Sequence, residues 1–499
     1  MLHSRAICFS FLFRTIPPCA APPLLLPEGG RLAPAGWHAE GATLPTKGVP
    51  FASVSAPLIA GALFAILMSS CAGPTVQAKP EEAIQRSIGT SIAFRWEGTP
   101  TDMHANSDAT ITLPSALRQA LEASPALQAA LARVRASQAE ADLASLLPNP
   151  ILSLVFRLPE GGGGANVEAG LSADLLAILQ RPRRSRIAGH RLEAESAQAL
   201  TTALDVVIEV EQRYLSVQSL EELLAFLEQR ITVLERLREV AQVRLDVGEG
   251  IRHEVTTFDS ERITLEVEIA ARRQELRVAR LALARVIGEP SSAADWKLDP
   301  WIVPAPVDAT EQAWIDTALS NRPEVLAIQW ELRAREEEES LAGGEAFDGA
   351  SVGLDAERDT DWSLGPALAT PLPIFDNGRA RGERARALTA EERHRLTEAQ
   401  RSVIEDVRTS LVALVGAQAN LARIDRDLLP LQTLRRREIE EAFNSGFVDV
   451  TALLFADQAL QETQAKRVEL ARDLAMAQFR LERSVGGPVL FQSASQPAH

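Results

Sequence analysis

Between Asn166 and Leu176 the chain reads NVEAGLSADLL, and apolar and polar residues alternate without a break. Val167, Ala169, Leu171, Ala173 and Leu175 share one face, and Asn166, Glu168, Gly170, Ser172 and Asp174 the other, which is the period of a strand with one apolar side. A run from Ile151 to Leu158 precedes it, and PEGGGGA joins the two as a hairpin loop. Helical spacing governs most of the rest. It predicts helix over Pro114–Leu147 with a break at Ser124–Pro125, then a long helix from Pro182, as first helical residue, to Val247. A turn at Gly248 and Gly250 and a return helix from Val255 to Val286 follow. At about 1.5 Å per residue the long helix spans roughly 100 Å.

The same plan recurs at a fixed offset. ALEASPAL (Ala120–Leu127) matches ALSNRPEVLA (Ala318–Ala327), and Gly248, Gly288 and Pro290 stand opposite Gly446, Gly486 and Pro488, all 198 positions apart. The chain therefore reads as two tandem repeats, each a helix, a β-hairpin and a long helical hairpin, in a mostly α fold with a small β part. The expected boundaries are an extension and signal over 1–70, a mature N-terminal segment over 71–110, a first repeat over 111–290 with strands near 151–158 and 166–176, and a linker over 291–310. The second repeat covers 311–488 with strands near 351–357 and 362–374, its long helix running from Gly378 to Phe443 and its return helix to Val485, and a tail covers 489–499.

Each strand pair carries one apolar face, the second one through Trp362, Leu364, Leu368, Leu372 and Ile374. Helices this long and continuous do not fold back as lids over such a face. Lipid outside and water inside is the alternative, the pattern of a membrane β-barrel. No apolar run beyond the N-terminal one reaches the 18 or so residues of a spanning helix. Four strands cannot close a barrel and an open edge in lipid is forbidden, so copies of the chain must complete it. The long helix agrees: Leu220, Leu224, Leu227, Ile231, Leu234, Ala241 and Leu245 form one flank, and Leu223, Phe226, Val233, Leu237, Val240 and Val247 an adjacent one. Two flanks suit a helix with neighbours on both sides, though a buried bundle helix has the same periodicity.

Composition narrows the picture. A formal net charge of -16 in 499 residues disfavours nucleic acid as partner, because phosphate neutralisation needs a concentrated basic face. The run SAPLIAGALFAILMSSCAG, Ser55 to Gly73, follows Lys47 and ends in small residues, as a secretory signal does. LMSSC resembles a bacterial lipoprotein box, with Met68 in place of leucine, which makes Cys71 the expected lipid-attachment site; the other reading is a plain signal cut nearby. The proline-rich stretch upstream suits no signal, so translation is expected to begin near Leu44 or Val49. Cys8 and Cys19 would then be lost, leaving Cys71 alone and no disulfide or cysteine metal site within one chain. Enzyme chemistry finds no pattern: Gly161–Gly164 lack the lysine of a phosphate loop, the histidines His104, His190, His253, His394 and His499 are scattered, and Met103 and Met476 are too few for a soft-metal relay. No catalytic residue, cofactor or metal is expected.

ITLPSALRQALEASPALQAALARVRASQAEADLASLLPNPILSL and PLPIFDNGRARGERARA carry a resemblance to the TolC family of outer-membrane efflux proteins, extending over about residues 108 to 488. The resemblance implies a homotrimer whose twelve strands form an outer-membrane barrel, continued by a periplasmic α-helical barrel. It implies a channel that passively conducts small molecules or metal ions, fed by an inner-membrane pump, here of the resistance-nodulation-division type, through a periplasmic adaptor. The helix tips are the implied adaptor-facing residues: Leu245, Val247, Gly248 and Glu249, and Phe443, Ser445, Gly446 and Phe447. The family's acidic gate pair falls at Ala452 and Phe455, so that gate does not carry over; Glu254, Asp259, Asp449 and Asp457 are substitutes, against the plainer reading of solvated helix faces. The rival class is a periplasmic coiled-coil tether, which salt without detergent would extract.

Overall fold

A computed structural model describes residues 80–102, 110–158, 166–301, 310–358 and 361–488. All of these belong to the compact unit Ser69–His499, distinct from Met1–Met68. The signal and Cys71, Cys8 and Cys19, Met103 and His104, Gly161–Gly164, the tail with His499 and part of the linker lie outside the described residues.

The first helices are α1 (Pro80–Ile88), α2 (Leu113–Ala123) and α3 (Pro125–Ser145). Thr112 caps α2 in a reciprocal box with Ser115. Ser124 ends α2 in extended geometry and caps α3, whose first residue is Pro125, so the expected break is a helix stop and a helix start in one residue. Strands β1 (Ile151–Arg157) and β2 (Asn166–Asp174) lead directly into α4 (Leu175–Asp246), 72 residues long. Strand β2 was expected to reach 176 and α4 to begin at Pro182. Instead Asp174 accepts the Ala177 N–H at 2.8 Å and starts the helix seven residues earlier. Pro182 is taken up at the start of its third turn, at the loss of one hydrogen bond to the Ile178 carbonyl.

Helix α5 (Arg252–Val286) returns along α4. After α6 (Glu311–Asn321) and α7 (Pro323–Ala342) come β3 (Ser351–Arg358), β4 (Trp362–Ala369), α8 (Arg379–Arg423), α9 (Leu429–Asn444) and α10 (Val450–Ser484). Two expectations are corrected here. Strand β4 stops at Ala369 and not at Ile374, since Pro371 and Pro373 have no N–H for a ladder. The second long helix is interrupted by a π-helical turn over Ile424–Leu428. Pro430 follows at once; it cannot donate to the Arg426 carbonyl and its ring crowds that group, and a wider turn relieves both.

The four strands form a single antiparallel sheet in the order β1-β2-β3-β4. The helices pack in three clusters: Leu121, Leu131, Leu204 and Leu283 beside α4; Trp314, Val407 and Leu481 around α8 and α10; and Leu234, Phe258, Phe443 and Leu453 where four helices approach their tips. The Leu227, Leu234 and Ala241 flank of α4 is core, whereas Val240 and Val247 on the other flank are exposed. No helix among the described residues is long and apolar enough to cross a membrane.

Candidate functional site

The sheet has two chemically opposite faces. Across it, Leu154 pairs with Ala169, Ala169 with Ala356 and Ala356 with Leu364; one step away Leu152, Leu171, Leu354 and Pro366 align. Phe156, Val167, Arg358 and Trp362 end the same face. Leu152, Leu154, Phe156, Leu354, Trp362, Leu364 and Leu368 are exposed, although each is large and apolar. The opposite face carries Ser153, Arg157, Glu168, Ser172, Asp355, Glu357 and Ser363, with Ile151, Val155, Ala367 and Ala369 as its apolar members. There Arg157 pairs with Glu168, and the Asn166 amide donates to Glu357 at 3.2 Å. Strands β1 and β4 each have one unpaired edge. A bare apolar face of this extent is not held in water, and its edges call for further strands.

Below the sheet, four consecutive glutamates of α7 tie it to both long helices. Glu336 meets Arg393 at 3.0 Å, Glu337 meets Arg186 at 2.8 Å, Glu338 pairs with Arg191, and Glu339 lies 3.6 Å from Arg386. His190 stacks on Trp330 in the same seam; burial and the nearby Arg333 charge lower its pKa. Single ion pairs this exposed contribute about 0–1 kcal/mol each. The set links α7 to both long helices just below the sheet.

At the far end both hairpins turn in the same way. Gly248 and Gly446 have φ of +82° and +78°. The Glu249 N–H donates to the Arg244 carbonyl at 2.9 Å and the Gly248 N–H to Leu245 at 3.1 Å; the Phe447 N–H donates to Ala442 at 2.9 Å and the Gly446 N–H to Phe443 at 3.0 Å. These are paired six-to-one and five-to-two closures, which need a left-handed residue at the turn. Of the tip residues, Val247, Gly248, Glu249, Ser445, Gly446 and Phe447 are exposed, with Phe447 at 85% and Val247 at 66%. Leu245 is half-buried. Phe443, expected to face outward, is 0% exposed and lies in the tip core beneath the Arg244 guanidinium, 5.2 Å from its ring centre.

The four candidate gate acids occupy four different settings. Asp449 caps α10, accepting the Ala452 N–H at 3.0 Å. Asp259 meets Arg238 at 2.6 Å on a half-exposed surface. Glu254 is buried in the first turn of α5, its Oε2 without a hydrogen-bond partner. Asp457 is buried between Arg230 of α4, at 3.5 Å, and Arg436 of α9, at 3.3 Å, and accepts from Gln461 at 2.6 Å. Phe455, at one of the two positions of the family's acidic pair, is exposed. Sequence reasoning had no means of finding Arg230 and Arg436, because their pairing with Asp457 joins three helices distant in sequence. No group of three or more metal-ligating side chains occurs among the described residues.

The site is thus a sheet apolar on one face and polar on the other, unpaired at both outer edges and continued by long helices, none of which among the described residues could span a membrane. Residues 116–289 match the family model described as outer membrane efflux protein. The chain is 26% identical over 416 residues to the pyoverdine export outer membrane protein OpmQ of Pseudomonas aeruginosa, covering 75% of this chain and 85% of that one. It is 23% identical over 284 residues to the outer membrane efflux protein BepC of Brucella suis, 55% of this chain and 61% of that one. Its fold is that of the solved outer membrane protein VceC of Vibrio cholerae, with a TM-score of 0.63, 17% identity, and coverage of 76% of this chain and 96% of the other. Residues 116–289 thus match the outer membrane efflux protein family, and the chain is similar to outer-membrane efflux proteins in sequence and in fold.

Proposed function

We propose that the protein is the outer-membrane channel of a tripartite efflux system, passively conducting small molecules or metal ions delivered by an inner-membrane pump through a periplasmic adaptor. The observation that carries this reading is the four-stranded sheet, whose exposed apolar face suits lipid and whose unpaired edges suit β4 of one copy pairing with β1 of the next. Three copies supply twelve strands, enough to close a barrel around a wet lumen. The helices repeat the argument. Along the lower wall the packing order is α5, α4, α10 and then α8 and α9. The outermost members carry Ile263, Val267 and Val278 at one edge and Val412, Val415 and Leu431 at the other, all exposed within one chain. Opposite edges of this kind join head to tail and close into a ring.

In this assembly Val247, Gly248, Glu249, Ser445, Gly446 and Phe447 face the adaptor, Leu245 and Phe443 support them from beneath, and Asp457 with its two arginines stands nearest a gate. Acylated Cys71 adds a lipid anchor to the barrel. No residue performs covalent chemistry. Lipid exposure of the sheet disfavours a periplasmic tether. Native mass spectrometry of detergent-extracted protein tests the reading: three chains beginning at Cys71 and bearing acyl mass support channel and anchor, an unacylated trimer keeps only the channel, and a monomer released by salt without detergent overturns it.

A further inference from the structure

Glu211 of α4 and Glu482 of α10 are 4% and 9% exposed, on two helices that pack together, and they lie near enough for their charges to interact. A carboxylate this buried is ordinarily matched by a cation. No salt bridge joins either one to a basic side chain among the described residues. The charged groups around them are committed elsewhere. On α4, Arg213 pairs with Glu209 at 2.7 Å, and Asp205 is held by Arg483. On α10, Arg483 is shared between Asp205 at 2.8 Å and Glu324 of α7 at 2.5 Å. On α5, Arg285 also turns to Glu209, at 2.7 Å. On α1, Glu81 is paired with Arg135 of α3 and Arg86 is exposed. Tyr214, one turn from Glu211, donates to the Ile111 carbonyl at 2.8 Å and accepts the Asp299 N–H at 3.2 Å. Among the described residues only Gln478 hydrogen-bonds to the pair, donating to Glu482 at 3.0 Å.

We propose that Glu211 and Glu482 form a proton-operated latch on the α4–α10 seam, closed while the pair carries protons and loosened when both carboxyls ionise. Burial pushes the Glu211 carboxyl well above its ordinary range, and the Glu482 charge adds to this. Burial likewise raises Glu482, to about 7, against the opposing Gln478 bond. Such a value places the change at neutral pH. The pair is not a legacy of the repeat, since the positions 198 residues away are Thr409 and Ala284. It belongs to one seam, and that seam continues along α10 to the Arg230–Asp457 tie near the tips. Ionisation at the upper end would thus weaken the joint between the two helical hairpins.

Both carboxyls bind protons more tightly in the folded chain than in the unfolded one, so their stabilisation is present at low pH and is lost as pH rises through about 7. The test is thermal unfolding of the full detergent-solubilised protein at pH 5.5 and pH 8. The native protein is expected to show a Tm about 3 °C higher at pH 5.5. Glu482→Gln, which keeps the shape and removes the charge, should raise the Tm at pH 8 and remove at least half of that difference, and Glu211→Gln should act in the same direction. His190 works with the opposite sign but is unchanged in every variant, so it cancels from the comparison. A full native pH dependence in both variants overturns the latch. Infrared titration of the native protein needs no variant: a protonated-carboxyl band that persists at pH 6 and fades by pH 8 supports the latch, and its absence at pH 6 overturns it.

Discussion

The α4–α5 hairpin and the hairpin of α8, α9 and α10 end in the same glycine turn, yet they are built differently above it. Counterparts lie 198 residues apart. Where one has Thr232 the other has Pro430, and α4 runs unbroken while the second arm contains a π-helical turn. Half-buried Leu245 corresponds to fully buried Phe443, exposed Glu249 to exposed Phe447, and the half-exposed Asp259–Arg238 pair to the buried Asp457 between two arginines. The glycine sets the turn in both; the neighbours decide which hairpin carries the tip core and which presents an apolar cap.

That contrast can be broken at graded positions. Phe443→Ala should cost about 3–5 kcal/mol, because a fully buried ring leaves a cavity, while Leu245→Ala should cost clearly less; chemical denaturation of both variants measures the difference. Asp457→Ala removes the buried carboxylate that links Arg230 to Arg436 and leaves them only Glu261 and Glu440, and should cost about 2–3 kcal/mol, against at most about 1 kcal/mol for the screened Asp259→Ala; equal losses would show that the two acids share one environment. Gly446→Ala and Gly248→Ala should each cost about 1–2 kcal/mol, since both positions are left-handed with open space around them and only backbone strain is added. Phe447→Ala and Val247→Ala should leave Tm unchanged within the effect of about 0.5 kcal/mol typical of exposed positions. Adaptor binding by surface plasmon resonance should nonetheless fall, more steeply for Phe447.

Acid sharpens a different joint. Burial acts to raise the Glu324 carboxyl, but Arg483 and Arg322 more than offset it and hold it below its ordinary range. Its stabilising share is present above the ordinary carboxylate value and is lost as pH falls beneath it, the reverse of Glu211 and Glu482. Glu324→Gln should therefore flatten the acid limb of a stability profile measured between pH 5 and 3, leaving the neutral limb alone.

Patterning alone determined much of this protein. Strict alternation from Asn166 predicted a strand with one apolar side, Ser124–Pro125 predicted a stop, and Gly248 and Gly446 predicted turns, because each rests on the backbone preferences of a few adjacent residues. The same local evidence misplaced what depends on competition between neighbours: Asp174 captured the helix start ahead of Pro182, and Pro430 broke a helix whose apolar spacing continues past it. It was silent on everything set by distance in space. The burial of Phe443, the arginines around Asp457 and the proximity of the buried Glu211 and Glu482 bring together side chains tens to hundreds of residues apart. Only the packing of α4 against α10 decides which of many similar helical carboxylates loses its water, and burial is what turns an ordinary glutamate into one that holds its proton.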